Sequence, residues 1–316
     1  MTSNGHNIRK SPKHILELST DEKRAFLDSF DHIFSDIDGV LWNVIAHIPG
    51  AADGYRTLTD LDKKLNFITN NSVRPMSDYE KKFKEAGIEF DVNDLVHPAK
   101  SIVEYLRNIE FEGLIYVIAT EAVKDVIREA GFQITDGPTI FIEESYRALA
   151  SHIFSKDPIR AVVVDVDFNL TSMKILRAHQ FLRHPDCILI EAASDKLLPV
   201  GNGIDIIGPG PFTKILAECS KKPLITLGKP GKSLAEIIIK KFNIKETKRS
   251  LMIGDTLESD IAFGRQCGFQ TLAVLSGFCK LQDIETESNP SKIPDYYADS
   301  MADFVEFMND LNKSKE

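Results

Sequence analysis

Short apolar runs recur along the chain at IFSD (33–36), LNFITN (65–70), LIYVIA (114–119), RAVVVDVD (160–167), CILIEA (187–192), PLITLG (223–228), SLMIGD (250–255) and QTLAVLSG (270–277). Stretches of helical period separate them. That rhythm predicts βαβ units, and hence an α/β fold with a mostly parallel, Rossmann-like sheet covered by helices. Ala52, Tyr55, Leu58, Leu61 and Leu65 recur every three or four residues and predict one helix face. In SDYEKKFKEAG, Ser77 and Glu80 have the spacing of a capping box and Gly87 stands where a helix would stop. EAVKDVIREAG, SMKILRAHQFLR, SLAEIIIKKFN and LESDIAFGRQCG predict further helices, and SMADFVEFMNDLNK a closing amphipathic one.

A chain of 316 residues is long enough for one large core and a second module. The Gly/Pro cluster GNGIDIIGPGPF (201–212) breaks regular structure and is the best candidate boundary. After it the first rhythm resumes, so PLITLG, SLMIGD and QTLAVLSG are expected to complete the first sheet. The reading is a discontinuous core of residues 30–104 and 210–316, an inserted α/β module of residues 105–209, and an N-terminal extension of residues 1–29. The polar opening, MTSNGHNIRKSPKHILELST, predicts loose order up to about Ser19.

Four polar stations share one placement, the C-terminal end of a predicted strand: Asp36 with Asp38, Thr69 with Asn70 and Asn71, Gly228 with Lys229, and Gly254 with Asp255. In an open α/β sheet the ligand crevice lies outside those ends, so residues distant in sequence converge there. Asp36 and Asp38 would repel each other in a dry site unless a cation or a shared proton relieves them. Asp255 and Asp260 bring more negative charge, and clustered hard oxygens suit Mg²⁺. Thr69, Asn70, Asn71 and Lys229 are the complement of a phosphate, offering hydroxyl, amide and ammonium groups. A carboxylate beside a phosphoryl group so held can attack it and form an aspartyl-phosphate, with Asp36 as the nucleophile. Asp38, two residues on, would serve as general acid and then general base. Gly39 would let the backbone turn sharply beside the metal.

The ordered set DIDGV, ITNNS, GKP and GDTLESD resembles the four motifs of the haloacid dehalogenase superfamily. DGVLW, TNNS and the large insertion narrow the resemblance to the branch of phosphatases containing 4-nitrophenylphosphatase, phosphoglycolate phosphatase and pyridoxal phosphatase. It covers roughly residues 30–305. The resemblance implies Asp36 as nucleophile and Asp38 as general acid/base. It implies Mg²⁺ held by the Asp36 side chain, the Asp38 carbonyl and Asp255, with Asp260 and Gly39 supporting. It implies phosphate binding by Thr69, Asn70, Asn71 and Lys229, and an inserted α/β cap that closes over the site. It also implies a homodimer through the cap. SDKLLPVGNG resembles the branch's substrate-specificity loop. Leu198 stands there where pyridoxal phosphatases carry histidine, Leu197 where phosphoglycolate phosphatases carry arginine, and GPG (Gly208 to Gly210) replaces the family's GTG.

Composition narrows the partners. A formal net charge of −9 argues against nucleic acid and anionic membrane, and no signal peptide or membrane-length apolar run occurs. Cys187, Cys219, Cys267 and Cys279 lie far apart, as free thiols in a reducing cytoplasm would. The expected function is a Mg²⁺-dependent phosphatase for a small phosphorylated metabolite, of the phosphoglycolate or 4-nitrophenyl phosphate kind. The alternatives are a phosphomutase of the same fold or a catalytically silent binding or scaffold protein. Asp165 and Asp167 read as ordinary strand-end residues, no histidine is given a role, and Trp42 reads as packing, with the edge of the site as its other reading.

Overall fold

The computed structural model describes residues 11–43, 46–201 and 204–314. Its largest sheet has seven strands, all parallel, in the order Lys13–His14, Tyr296–Ala298, Gln270–Val274, Ser250–Gly254, His32–Ser35, Lys64–Ile68, Leu95–Val96. From His32–Ser35 the chain first builds outward to Lys64–Ile68 and Leu95–Val96, then returns on the other flank at Ser250–Gly254. The direction of winding therefore switches between His32–Ser35 and Ser250–Gly254, where α/β sheets open a crevice.

Successive residues of these strands bury opposite faces. Ile33, Leu251 and Ile253 pack with Phe26, Tyr55 and Phe304 on one side, while Phe34 and Met252 pack with Leu234, Ile238 and Phe263 on the other. A strand so covered on both faces must be apolar throughout, which is why these segments read as unbroken apolar runs rather than alternating ones.

A second, five-stranded parallel sheet has the order Leu224–Thr226, Ile188–Glu191, Ile159–Val164, Leu114–Ile118, Ile134–Thr135. All of its strands fall in sequence between Leu95–Val96 and Ser250–Gly254 of the first sheet. A two-stranded antiparallel hairpin, Leu197–Gly201 with Ile204–Ile207, precedes the helix Gly210–Ser220. Eight of the twelve residues of the Gly/Pro cluster expected to be a boundary are therefore strand or helix, and Asn202 and Gly203 lie outside the described residues.

The structure corrects several sequence expectations. The PLITLG strand does not join the first sheet: Leu224, Ile225 and Thr226 pair with Leu189, Ile190 and Glu191, and the Leu227 N–H continues the ladder to the Glu191 carbonyl at 2.8 Å. The segment 11–29 is not a loose extension. Lys13–His14 adds an edge strand beside Tyr296 and Tyr297, Ile15 is fully buried, and a Ser19–Glu22 capping box opens the helix Thr20–Asp28. Residues 1–10 lie outside the described residues.

The helix predicted through Leu65 ends at Thr59, because the chain reverses at Asp62 with φ of 58° and Leu65 pairs with Ile33 as a strand residue. Ser77 is not a cap. The helix Met76–Ala86 begins one residue earlier behind Pro75, whose fixed φ of −62° sets the entry, and it ends at Gly87 as predicted, with φ of 68°.

Candidate active site

Three adjacent strands of the first sheet, Ser250–Gly254, His32–Ser35 and Lys64–Ile68, end in Asp255, Asp36 and Thr69 respectively. Neighbouring parallel strands run about 4.8 Å apart, so the topology alone brings these side chains to one line. Asp36 is only 9% exposed, and its amide is tied to the Ile253 carbonyl at 2.9 Å.

Lys229 reaches this line from the other sheet. Its ammonium lies 2.8 Å from Asp36 Oδ1 and 2.7 Å from Asp260 Oδ1, and donates to the Ile68 carbonyl at 2.9 Å. The side chain is 1% exposed, so this is a buried cation flanked by two carboxylates. Burial pushes the Asp36 carboxyl well above its ordinary range, the charges of Asp260 and Asp255 add to that, and Lys229 opposes it. Burial likewise raises Asp255, to about 7, with the Asp260 charge next in importance. Burial acts to lower Lys229, yet the two carboxylates prevail and hold it above the usual lysine value.

Carboxylates clustered in this way are the electrostatic complement of a cation. Asp36, Asp255 and Asp260 each offer an oxygen within 4.8 Å of the others. Hard oxygens so clustered fit a small divalent cation of the Mg²⁺ kind. The backbone is shaped around them: a Cβ on Gly39, whose φ is +87°, would fall 2.2 Å from Asp255 Oδ2, and one on Gly277 would fall 1.9 Å from the same atom. Asp255 is further held by the Phe278 N–H at 2.8 Å and by the Thr256 hydroxyl at 3.3 Å. Asp260, predicted as support, accepts from the Thr256 N–H at 3.0 Å and is ion-paired with Lys229, and so both steadies the lysine and completes the oxygen cluster.

The Asp38 carboxylate stands outside that cluster. The Trp42 indole N–H donates to Oδ1 at 3.0 Å, the Asn71 amide to Oδ2 at 3.0 Å, and the Arg74 guanidinium lies 3.4 Å from Oδ1. Three donors from two parts of the chain, the turn after Asp38 and the loop after Lys64–Ile68, thus fix a partly exposed carboxylate two residues from Asp36. Sequence reasoning missed Arg74 and gave Trp42 mainly to packing. The position of Trp42 four residues after Asp38, across a tight turn, was the available signal. Trp42 does pack too: it is fully buried, with Arg74 and Lys82 over its ring.

Of the predicted phosphate ligands, Thr69 is buried at the strand end and its hydroxyl accepts from the Asn71 N–H at 2.9 Å, which leaves its own proton to donate. The Asn70 and Asn71 amides are committed within the protein. Asn70 Oδ1 accepts from the Lys229 N–H at 2.8 Å, and Nδ2 donates to the Lys229 carbonyl and to Asp195, both at 3.0 Å. Asn71 Nδ2 serves Asp38, while Asn71 Oδ1 accepts from the Val73 and Arg74 N–H groups and shapes the loop.

Comparison with known proteins places this geometry. A family model described as haloacid dehalogenase-like hydrolase matches residues 33–133, and one described as HAD-hydrolase-like matches residues 226–304. The 4-nitrophenylphosphatase of Schizosaccharomyces pombe is 30% identical over 297 residues, covering 91% of this chain and 97% of that protein. The glycerol-3-phosphate phosphatase of Mus musculus is 28% identical over 306 residues, covering 92% and 94%. The crystal structure of a 4-nitrophenylphosphatase from Thermotoga maritima superposes with a TM-score of 0.72 at 22% identity, over 89% of this chain and 98% of that one, and so shares its fold.

Proposed function

Because the chain belongs to the haloacid dehalogenase-like hydrolases and is a phosphoric monoester hydrolase, we propose that it cleaves small phosphate monoesters, of the phosphoglycolate, glycerol 3-phosphate or 4-nitrophenyl phosphate type, with Asp36 as nucleophile. The observation that carries this reading is the Lys229 ammonium seated between Asp36 and Asp260 at 2.8 and 2.7 Å. A buried carboxylate attacks only when ionised, and burial favours its protonation; the Lys229 charge opposes that and would attract the incoming phosphoryl oxygens.

In the first step an Asp36 oxygen bonds to phosphorus, the ester P–O bond breaks, and Asp38 gives its proton to the departing alkoxide. In the second, Asp38 takes a proton from water as that water attacks phosphorus, and cleavage of the acyl-phosphate bond releases inorganic phosphate and restores Asp36. Asp36 and Asp255 are the residues that would hold Mg²⁺, with Asp260 behind them. When bound there, the cation neutralises charge on the phosphoryl oxygens. Thr69 would donate its hydroxyl to the phosphate, while Asn70 and Asn71 shape the cradle.

The five-stranded sheet and its helices are read as a cap over this site. Homodimerisation through that cap is supported by its apolar surface: Phe141, Tyr146, Phe154 and Phe168 are each more than half exposed, and the helix Tyr146–Ile153 buries none of its residues. A cytoplasmic setting is supported by four free cysteines, and no helix among the described residues is long and apolar enough to cross a membrane.

The test is release of 4-nitrophenolate and inorganic phosphate in the presence of Mg²⁺. Asp36→Asn is expected to lower kcat by about 10³-fold or more while leaving the circular dichroism unchanged. Retained turnover in that variant would remove Asp36 from its role, and phosphate passed to a second hydroxyl instead of water would mark a mutase.

A further inference from the structure

Lys229 does its work in the first sheet but is hung from the second. The strand Leu224–Thr226 ends three residues before it, and the two sheets face each other across the segment 227–229. On one side of this segment lies Asn70 of the first sheet. On the other lies the loop 192–196, which leaves the second sheet after Ile188–Glu191.

That loop is fixed from both directions. Gly210 N–H donates to the Asp195 carbonyl at 3.1 Å and Gly208 N–H to the Lys196 carbonyl at 2.9 Å. A Cβ on Gly208 or on Gly210 would fall 2.3 Å from the carbonyl oxygen of Asp195 or Ser194 respectively, so the GPG sequence is what allows this approach. Across the loop, a Cβ on Gly228 would fall 2.3 Å from the Ala192 carbonyl oxygen and 2.9 Å from Asn70 Oδ1. Gly228 is thus pinched between the two sheets, one residue before the lysine.

Two side chains of the loop complete the grip. The Ser194 hydroxyl donates to the Lys229 carbonyl at 2.9 Å. Asp195 Oδ2 accepts from Asn70 Nδ2 at 3.0 Å, and the same amide brackets the Lys229 main chain, accepting from its N–H and donating to its carbonyl. An amide can rotate by 180° and still fill the same space, so something must choose its orientation. A carboxylate only accepts. Asp195 and the Lys229 main chain therefore favour the same rotamer, with Nδ2 toward the carboxylate and the Lys229 carbonyl and Oδ1 toward the Lys229 N–H, and Asp195 is the contact that ties that rotamer to the second sheet.

We propose that Asp195 is a positioning residue of the phosphatase reaction, acting from the second sheet through Asn70 on the main chain of Lys229. The inference rests on the assignment of Lys229 to the phosphate, but the bracket itself is a matter of geometry and is tested separately. Without the carboxylate, the Asn70 amide loses one of its two acceptors and its tie to the second sheet, the lysine backbone loosens, and its ammonium no longer meets Asp36 and the phosphoryl group together.

The experiment compares kcat/KM for 4-nitrophenyl phosphate with Mg²⁺ across Asp195→Ala, Asp195→Asn, Asn70→Ala and the Asp195→Ala/Asn70→Ala pair, alongside crystal structures of the two Asp195 variants. Asp195→Ala is expected to lose about 10- to 50-fold, and Asp195→Asn, whose Oδ1 can still accept from Asn70, less than about threefold. In the Asn70→Ala background, loss of the carboxylate should add less than about twofold, because the two residues act in series. The crystal structures should show the Lys229 main chain displaced in the alanine variant and unmoved in the asparagine one. Independent, multiplying losses in the double variant, or an unmoved Lys229 in Asp195→Ala, would overturn the proposal. If the wild-type protein hydrolyses no monoester, the functional reading falls and the crystal structures alone decide the bracket.

Discussion

Trp42 donates its indole N–H to Asp38 Oδ1 across 3.0 Å, joining a fully buried ring to a partly exposed carboxylate four residues earlier. Packing that locks the ring also locks the direction of its one donor, so the carboxylate is held in one orientation without depending on its own exposed rotamers.

If Asp38 protonates the leaving alkoxide, its loss must matter most where protonation matters most. Asp38→Asn is expected to slow an alkyl phosphate such as glycerol 3-phosphate by about 10²-fold or more, and 4-nitrophenyl phosphate, whose leaving group is already a weak base, at least about tenfold less. Trp42→Phe, which keeps the ring and removes the donor, should show the same selectivity at about three- to tenfold. Steady-state kinetics on both esters check this; equal slowing of the two would contradict the assignment.

Gly39 lies where a single methyl group would enter the proposed metal ligand set, 2.2 Å from Asp255 Oδ2, at a φ of +87°. Gly39→Ala is therefore expected to raise the Mg²⁺ concentration for half-maximal activity and to cut kcat/KM about 100-fold or more, while costing only about 1–3 kcal/mol of stability from backbone strain. A Mg²⁺ titration and urea unfolding on the same preparation separate the two effects. An unchanged Mg²⁺ requirement would mean that Asp255 is not a ligand.

Asp165, at the end of Ile159–Val164, is fully buried and neither of its carboxyl oxygens has a hydrogen-bond partner among the described residues. Burial raises it to about 7, and the charges of Asp195 and Glu191 add to the shift; the nearby Ser72 hydroxyl and Val166 N–H offset only part. A folded value above the unfolded one means that the native state binds the extra proton. Its contribution to stability is fully present below about pH 4 and has gone once the pH passes the folded value near 7. Wild type should therefore lose about 2–4 kcal/mol between pH 5 and pH 8 that Asp165→Asn does not lose. Urea unfolding at the two pH values measures it; parallel pH dependence in both proteins would show that Asp165 is not the group responsible.

The catalytic line was legible because it depends on strand order and little else. Asp36, Thr69 and Asp255 each follow an apolar run, and adjacent parallel strands leave them side by side whatever the loops do. Arg74 and Asp195 were not legible, since each reaches the site from a loop whose side-chain directions are set by contacts across the fold. Asn70 and Asn71 do follow the strand Lys64–Ile68, but whether an amide meets a ligand or its own backbone depends on neighbours such as Lys229 that sequence spacing does not fix. The strand at 224–226 was seen and assigned to the wrong sheet. Three apolar residues state that a strand exists, while the sheet it joins is decided by its pairing with Ile188–Glu191. The strand Lys13–His14 was hidden because its partner at Tyr296 is almost the whole chain away.

The membership of Leu224–Thr226 in the five-stranded sheet bears on any attempt to exchange specificity modules between relatives. A cut at the glycine-proline cluster would strip an edge strand from the donor piece and leave it orphaned in the recipient. The transplantable unit has to run on to the threshold of Lys229, and with it travels the grip on that residue. Grafting a new selectivity onto this scaffold therefore also re-tunes the hold on Lys229, so chimaeras should change turnover as well as substrate choice.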